Sequence, residues 1–163
     1  MKPIVIVAVL VICASLLGVL PFSRHDVGEL QPAQTLIVEQ PEPGVVVLKS
    51  DDELQARGAT WQEAVQQLYR QANGVLFLKT AEQIVFIAEA QSLLPQVAQD
   101  ETLRPAAKAY LASSDVDPEQ VTAYLKTRKG GVTLGQLRTA ELEQMEYQVP
   151  RLYVQEEGLF IYE

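Results

Sequence analysis

The chain has 163 residues, 48% hydrophobic and 21% charged, which is the composition of a folded protein and argues against a disordered one. Its net charge of −8 repels phosphate backbones and anionic headgroups, which argues against nucleic-acid binding. The length fits one domain with a small appendage. The only cysteine, Cys13, excludes a disulfide within one chain.

An unbroken run of apolar and small residues, Ile4 to Leu20, opens the sequence. Its 17 residues suit a membrane-spanning helix, which needs roughly 17 to 25, better than a signal-peptide core of about 7 to 15. We therefore predict an N-terminal membrane anchor over residues 1–23, with a cleaved signal peptide as the alternative. Pro21-Phe22-Ser23 places proline where a cleavage site needs a small residue, which favours retention.

A lipoprotein signal is the third interpretation of this run. Leu10 stands three residues before Cys13, as such a signal requires, but Ile12 is too bulky for the position before the cysteine. Cys13 is therefore interpreted as a small residue of a membrane helix. Basic residues flank the run on both sides, Lys2 before it and Arg24 after it, so the positive-inside signal is weak. We still expect the N-terminus inside and the domain outside the cytoplasm.

The residues that follow predict a tether and then a hairpin. Residues 24–33 are polar and mixed, as expected of a juxtamembrane tether, and residues 34–163 are predicted to form one extracytoplasmic α/β domain. Gln34–Glu39 and Val45–Lys49 are rich in β-branched residues and predict strands. Gln40–Gly44 has the composition of a turn, which makes the pair an antiparallel hairpin.

The centre of the sequence predicts an amphipathic helix over Thr60–Ala72, after a charged loop over Ser50–Gly58. Apolar residues recur there at the helical period, and they are Trp61, Ala64, Val65, Leu68, Tyr69 and Ala72. Thr60 and Glu63 have the spacing of a capping box. Asn73-Gly74 predicts a left-handed residue that ends the helix.

Two apolar stretches after this helix, Val75–Leu78 and Gln83–Ile87, predict buried strands because they are short and bounded by turn residues. Glu89–Gln99 predicts a helix, with Ser92 as its cap and Pro95 in its first turn. The alanine-rich stretch from residue 104 to 112 is compatible with either a helix or a short strand.

The last third predicts two helices and a hairpin. Asp117-Pro118 is a cap followed by proline at the first helical position, and Gly130-Gly131 is expected to end that helix. Thr133 and Gln136 form a second capping-box pattern. The alternating stretches at 150–155 and 159–162 predict a closing hairpin. The fold class is therefore α/β (α+β), with a mixed sheet and about four helices behind the N-terminal transmembrane helix.

No catalytic, cofactor or metal site is predicted. His25, the only histidine, lies in the tether, and Cys13 lies in the apolar run, so a Cys/His pair is not formed. The sequence contains no nucleophile elbow, dinucleotide-binding turn or Walker loop. Four acidic clusters stand in predicted loops or caps, where solvated acids are the default, and they are Asp51-Asp52-Glu53, Asp100-Glu101, Asp115 with Asp117, and Glu156-Glu157.

The ordered elements resemble the N-terminal part of the C subunits of nutrient germinant receptors from bacterial spores, the Ger(x)C family. The similarity is best at Gly58–Leu68, which is similar to the family's glycine-x-threonine-hydrophobic-x-glutamate-alanine helix start. Further matching segments cover most of residues 29 to 155, and they are Glu29-Leu30, Thr35–Glu39, Val45–Ser50, Val75–Ile87, Glu101–Ala107, Val132–Leu134 and Val149–Leu152. Two departures from the family stand out: Cys13 does not have a proper lipidation signal before it, and the sequence stops at Glu163, where the family continues into further domains.

The resemblance implies a non-enzymatic accessory or receptor subunit in spore germination or related sporulation signalling. It would be anchored on the outer face of a membrane, the inner spore membrane being one candidate, and would contact a polytopic membrane protein. The alternative is an anchored domain that binds a small molecule or an ion through its acidic loops. A hydrolase has least support, because no nucleophile–base pair is present.

Overall fold

A computed structural model describes residues 30–51, 53–127, 130–155 and 158–162. The predicted anchor over residues 1–23 lies outside these ranges, as do the turn acids Glu156 and Glu157. No helix among the described residues is long and apolar enough to cross a membrane.

The described residues form ten strands, and eight of them build one sheet. In chain order the strands are β1 (Leu30–Pro32), β2 (Thr35–Glu42), β3 (Val45–Ser50), β4 (Gln55–Gly58), β5 (Val75–Phe77), β6 (Gln83–Ile87), β7 (Lys108–Ala112), β8 (Val132–Thr133), β9 (Arg151–Gln155) and β10 (Gly158–Tyr162). The large sheet has the order β10-β9-β7-β6-β2-β3-β4, and β8 pairs with β7 off this path. Strands β1 and β5 pair separately.

The large sheet is mixed, with a parallel centre and antiparallel sides. Strands β2, β6, β7 and β9 run parallel to one another. The hairpin partners β3 and β10, the outer strand β4 and the short β8 run antiparallel to their neighbours. The central strand β6 is buried along its whole length, which is why Gln83–Ile87 has an uninterrupted apolar stretch. The predicted mixed sheet and both predicted hairpins are confirmed.

Within the described ranges, four α-helices cover the two faces of this sheet. They are α1 (Trp61–Gln71), α2 (Leu94–Ala98), α3 (Pro118–Leu125) and α4 (Leu134–Leu142). Residues of α1, α2 and α4 share one core cluster with Leu36, Ile84 and Phe86 of the sheet. Residues of α3 pack on the other face with Ile37, Val85 and Tyr110. The predicted single compact α/β domain with about four helices is thereby confirmed.

Helix α1 begins as the sequence predicts and ends differently. The Thr60 hydroxyl accepts a hydrogen bond from the Glu63 amide at 3.2 Å, whereas the Glu63 carboxylate accepts from the amide of Ala59 instead of that of Thr60. The expected left-handed stop at Asn73-Gly74 is wrong. The helix ends because Ala72 is extended, with φ −63° and ψ 133°.

Two helix boundaries predicted later in the chain need correction, and one is confirmed. Residues 88–93 form a 3-10 segment, Ala88–Leu93, so Ser92 caps no helix and α2 begins after it, with Pro95 in its first turn. Helix α3 starts on its Asp117 cap as predicted but ends at Leu125, well before Gly130-Gly131. The capping box of Thr133 with Gln136 is confirmed at the start of α4.

Two strand predictions also need correction, and one assignment that the sequence left open is settled. The charged loop at Ser50–Gly58 contains the four-residue strand β4, of which Ala56 alone is buried. The stretch 104–112, open between helix and strand, contains strand β7. The apolar run Val75–Leu78 forms β5 and a 3-10 turn, Leu78–Thr80, outside the large sheet, and Val75 and Phe77 are exposed.

Candidate functional site

One cleft lies where the parallel strands β6 and β7 end. The chain leaves β6 into the 3-10 segment Ala88–Leu93, leaves β7 at Ser113, and enters the neighbouring strand β9 at Arg151. These segments surround a cavity of about 660 Å³. The carboxyl ends of parallel strands are the common place for binding sites in open α/β sheets. We call this cavity the carboxyl-end cleft.

The lining of the carboxyl-end cleft combines an apolar floor with a few polar groups. Leu94, Leu111 and Val149 contribute apolar surface. The hydroxyl oxygen of Ser113 is buried and has no hydrogen-bond partner among the described residues. The Arg151 guanidinium donates a long hydrogen bond of 3.4 Å to the Gln91 side chain. Because a buried polar atom is normally paired, the Ser113 hydroxyl is unusual among the side chains that line the cleft.

The backbone at the floor of the same cleft is strained. Ala88, the first residue after β6, has φ 48°, a left-handed conformation that residues other than glycine rarely adopt. Such outliers persist only where the surrounding structure imposes them, and they concentrate at functional sites. The left-handed residue turns the chain from β6 into the 3-10 segment and so places Glu89 and Gln91 along the cleft.

Exposed apolar side chains lead into the carboxyl-end cleft. The last residue of α4, Leu142, and two residues of the segment that follows it, Met145 and Tyr147, are 85%, 52% and 42% exposed. Tyr147 lines the cleft itself. Single exposed apolar residues are ordinary, but three within six residues of one segment are typical of a contact surface.

A second cleft, of about 650 Å³, gathers acids that are distant in sequence. It lies between the β3–β4 connection and the start of α3, and is lined by Asp51, Glu53, Asp117 and Glu119 together with Lys49 and Lys126. We call it the acidic cleft. Asp51 and Glu53 of one predicted cluster and Asp117 of another thus line the same cavity, which their separation in sequence did not reveal.

Two of these acids already have structural partners. One carboxylate oxygen of Asp51 accepts the amides of Gln34 and Thr35 at 3.0 and 3.2 Å. Asp117 caps α3 by accepting the amide of Glu119 at 3.0 Å. Among the described residues no group of three or more His, Cys, Asp or Glu side chains could hold a metal ion. Ser50, which is 9% exposed, places an unpartnered hydroxyl at the same cleft.

In the predicted cluster Asp100-Glu101, Asp100 has a structural role, whereas Glu101 is exposed. Asp100 accepts a 2.5 Å hydrogen bond from the indole nitrogen of Trp61, and its other oxygen accepts from the amide and hydroxyl of Thr102. Trp61 is fully buried, so Asp100 satisfies the one polar atom of the largest core side chain. Burial raises the pKa of the nearby Tyr69 phenol above its ordinary value, and the negative charge of Asp100 raises it further.

This raised pKa predicts a loss of stability at alkaline pH. The folded state holds the Tyr69 proton more tightly than the unfolded state, so its contribution is complete below pH ~10 and is lost as the pH rises through the higher folded value. We expect Tyr69→Phe to lose less stability than the parent chain between about pH 9 and about pH 11. Denaturant midpoints at the two pH values measure this, and parallel losses in both proteins would contradict it.

The sequence contains little that would have revealed the carboxyl-end cleft. Ser113, Tyr147 and Arg151 belong to no motif, and they come together only through the pairing of β9 with β7. The available signal is general: polar residues directly after a buried parallel strand lie at one edge of the sheet.

Comparison with known proteins finds no matching family model, no matching curated protein and no matching solved structure. The resemblance to the Ger(x)C family therefore remains a proposal based on this chain's own residues.

Proposed function

We propose that this protein is a membrane-anchored, non-enzymatic accessory or receptor subunit that acts by protein contact in spore germination or related sporulation signalling. Its N-terminal run holds it in the membrane, and its domain lies outside the cytoplasm and contacts a polytopic membrane protein. The proposal rests on the resemblance to the germinant-receptor C subunit. The structural observation that carries the contact role is the exposure of three apolar side chains, Leu142, Met145 and Tyr147, the last of which lines the carboxyl-end cleft.

The chemistry of that surface suits a protein partner. Tyr147 offers an aromatic side chain with a polar tip, and Met145 offers a flexible apolar one, both of which are enriched at protein interfaces. Arg151, which is exposed in the adjoining cleft, can pair with a polar group of a partner loop. Apolar side chains beside an exposed guanidinium are suited to give a docking site both affinity and orientation.

Catalysis has little support in the residues of the domain. After residue 29 the chain contains neither histidine nor cysteine, the two side chains that most often serve as base or reactive nucleophile near neutral pH. The carboxylates of Asp51, Asp100 and Asp117 are engaged in fixing the fold. No cofactor is proposed.

The alternative function is an anchored domain that binds a small molecule or an ion in the acidic cleft. One observation favours it: the buried Ser50 hydroxyl has no partner among the described residues and lines a cleft with four carboxylates. The side chains of Lys49 and Lys126 offset part of this negative charge, and Lys49 is already paired with Glu39 at 2.7 Å. We therefore rank ligand binding below protein contact.

Neutralising single acids separates the two functions. In a strain whose gene deletion impairs germination, complementation with Glu53→Gln or Glu119→Gln should restore nearly the full response, because an exposed charge contributes only about 0 to 1 kcal/mol. Asp51→Asn is a poor probe, since its carboxylate also holds two backbone amides. If Glu53→Gln or Glu119→Gln abolished the response while fold and partner contact persisted, the acidic cleft would be a ligand site.

A further inference from the structure

The small sheet formed by β1 and β5 exposes one apolar face. The strands are parallel, with Leu30 opposite Val75 and Pro32 opposite Phe77. Because side chains alternate along a strand, these four residues share one face. Leu30, Val75 and Phe77 are 37%, 36% and 42% exposed, whereas Leu76, which points the other way, is buried in the core. We call the exposed side the outer face.

The outer face is fixed in place and uncharged. Neither strand contains a charged residue, and the first charged residue after β5 is the exposed Lys79. Leu76 and the following Leu78 attach the sheet to the main core cluster. The apolar face therefore cannot be hidden by a small rotation of side chains. A fixed group of apolar side chains on one face is typical of a surface that something covers.

The position of the outer face in the chain points to what covers it. Strand β1 is the first described element, and only nine residues, 21 to 29, separate it from the apolar run that ends at Leu20. Nine fully extended residues reach at most ~32 Å. If the run spans the bilayer, the outer face stays within that distance of the headgroups, whatever the orientation of the rest of the domain.

We propose that the outer face rests on the lipid surface, with Leu30, Val75 and Phe77 entering the headgroup region. This inference depends on the membrane anchor of the proposed function. Three partly exposed side chains present less surface than a stable protein interface buries, which favours lipid over a protein partner. They are also too few to recruit a free domain, but a tether gives a high effective concentration at which a weak contact persists.

The charge of the domain sets the lipid composition for a test. Beyond the apolar run the chain has all 21 acidic residues and 12 of the 13 basic ones, a net charge of −9 that opposes anionic lipid. The full chain is therefore reconstituted in phosphatidylcholine vesicles, with or without bromine-labelled acyl chains that quench tryptophan. Phe77→Trp reports on the outer face. Tyr162→Trp, on the edge strand β10 and 65% exposed, is the matched control.

We expect emission from the F77W variant to shift to the blue in vesicles and to lose most of its added intensity to brominated lipid. The Y162W variant should show neither change, and the buried Trp61 gives the same background in both. Val75→Trp places a second probe on the outer face and should give the same blue shift and quenching, which would show that the F77W result does not come from a local disturbance at residue 77. Equal behaviour of F77W and Y162W in chains that float with the vesicles would overturn the lipid contact while leaving the anchor intact. Chains that do not float would overturn both.

Discussion

The Leu68→Asp variant should be largely unfolded or insoluble. Leu68 lies at the centre of α1, is fully buried, and belongs to the core cluster between that helix and the sheet. Truncating such a side chain costs about 2 to 5 kcal/mol, and burying an unpaired carboxylate adds to that cost. A domain of this size has only roughly 5 to 15 kcal/mol of stability, so one such change consumes most of it.

The matched control for this prediction is Gln66→Asp, on the exposed side of the same helix. It introduces the same carboxylate, and we expect a change of no more than about 0.5 kcal/mol because nothing is buried. Thermal unfolding followed by circular dichroism compares the two variants with the parent chain. If Leu68→Asp were soluble with an unchanged melting temperature, the side of α1 assigned to the core would be wrong.

Gly58→Ala should be the most damaging small substitution in the domain. Gly58 ends β4 where the first turn of α1 crosses it, and an added Cβ would stand 2.4 Å from the amide nitrogen of Ala64 and 2.8 Å from the carbonyl carbon of Glu63. Both are backbone atoms, so the helix itself has to move. Overpacking typically costs about 1 to 3 kcal/mol, and a contact with backbone belongs at the upper end.

Gly135→Ala provides the comparison for Gly58→Ala. Gly135 lies in α4, and an added Cβ would come no closer than 3.3 Å to the nearest atom, the carbonyl oxygen of Pro105. Alanine is favoured over glycine inside a helix by about 1 kcal/mol, which offsets a mild contact. Denaturant unfolding should therefore separate the two variants clearly. Equal midpoints would show that α1 does not pack against β4 as closely as the structure has it.

Local signals in the sequence account for the elements that were predicted correctly. The caps at Thr60, Asp117 and Thr133 each accept the expected backbone amide, because a side chain and an amide two or three residues apart need no tertiary partner. The hairpins β2–β3 and β9–β10 follow from β-branched or alternating stretches around turn residues. These contacts are short in sequence, so composition and spacing were sufficient.

Elements that depend on distant partners could not be predicted in this way. Strand β4 has the sequence Gln-Ala-Arg-Gly with only Ala56 buried, so its pairing with β3, not its composition, makes it a strand. The apolar run at Val75–Leu78 has no period of its own, and pairing with β1 places it outside the large sheet. Strand β7 is alanine-rich, and burial between β6 and β9 decides its conformation.

The candidate sites depend on tertiary structure even more strongly. The acids at 51–53 and 115–117 were noticed in the sequence, but only the packing of α3 beside the β3–β4 connection makes them one acidic cleft. Nothing in the sequence marked Ser113 as a site residue, because an unpaired hydroxyl is unusual only when it is buried, and burial is not visible in the sequence. The exposure of Leu142, Met145 and Tyr147 also depends on what packs against them, so the sequence alone did not indicate it.

Photo-cross-linking from position 147 tests the central claim, that this domain acts by contact with a membrane protein. A photoreactive residue replaces Tyr147 in the full chain, and in a second strain it replaces the exposed Tyr162 on β10. We predict that irradiated membranes yield an adduct with one multi-spanning protein from position 147 and much less from position 162. An equal yield from both positions, or no adduct from position 147 in chains recovered with the membranes, would contradict the account.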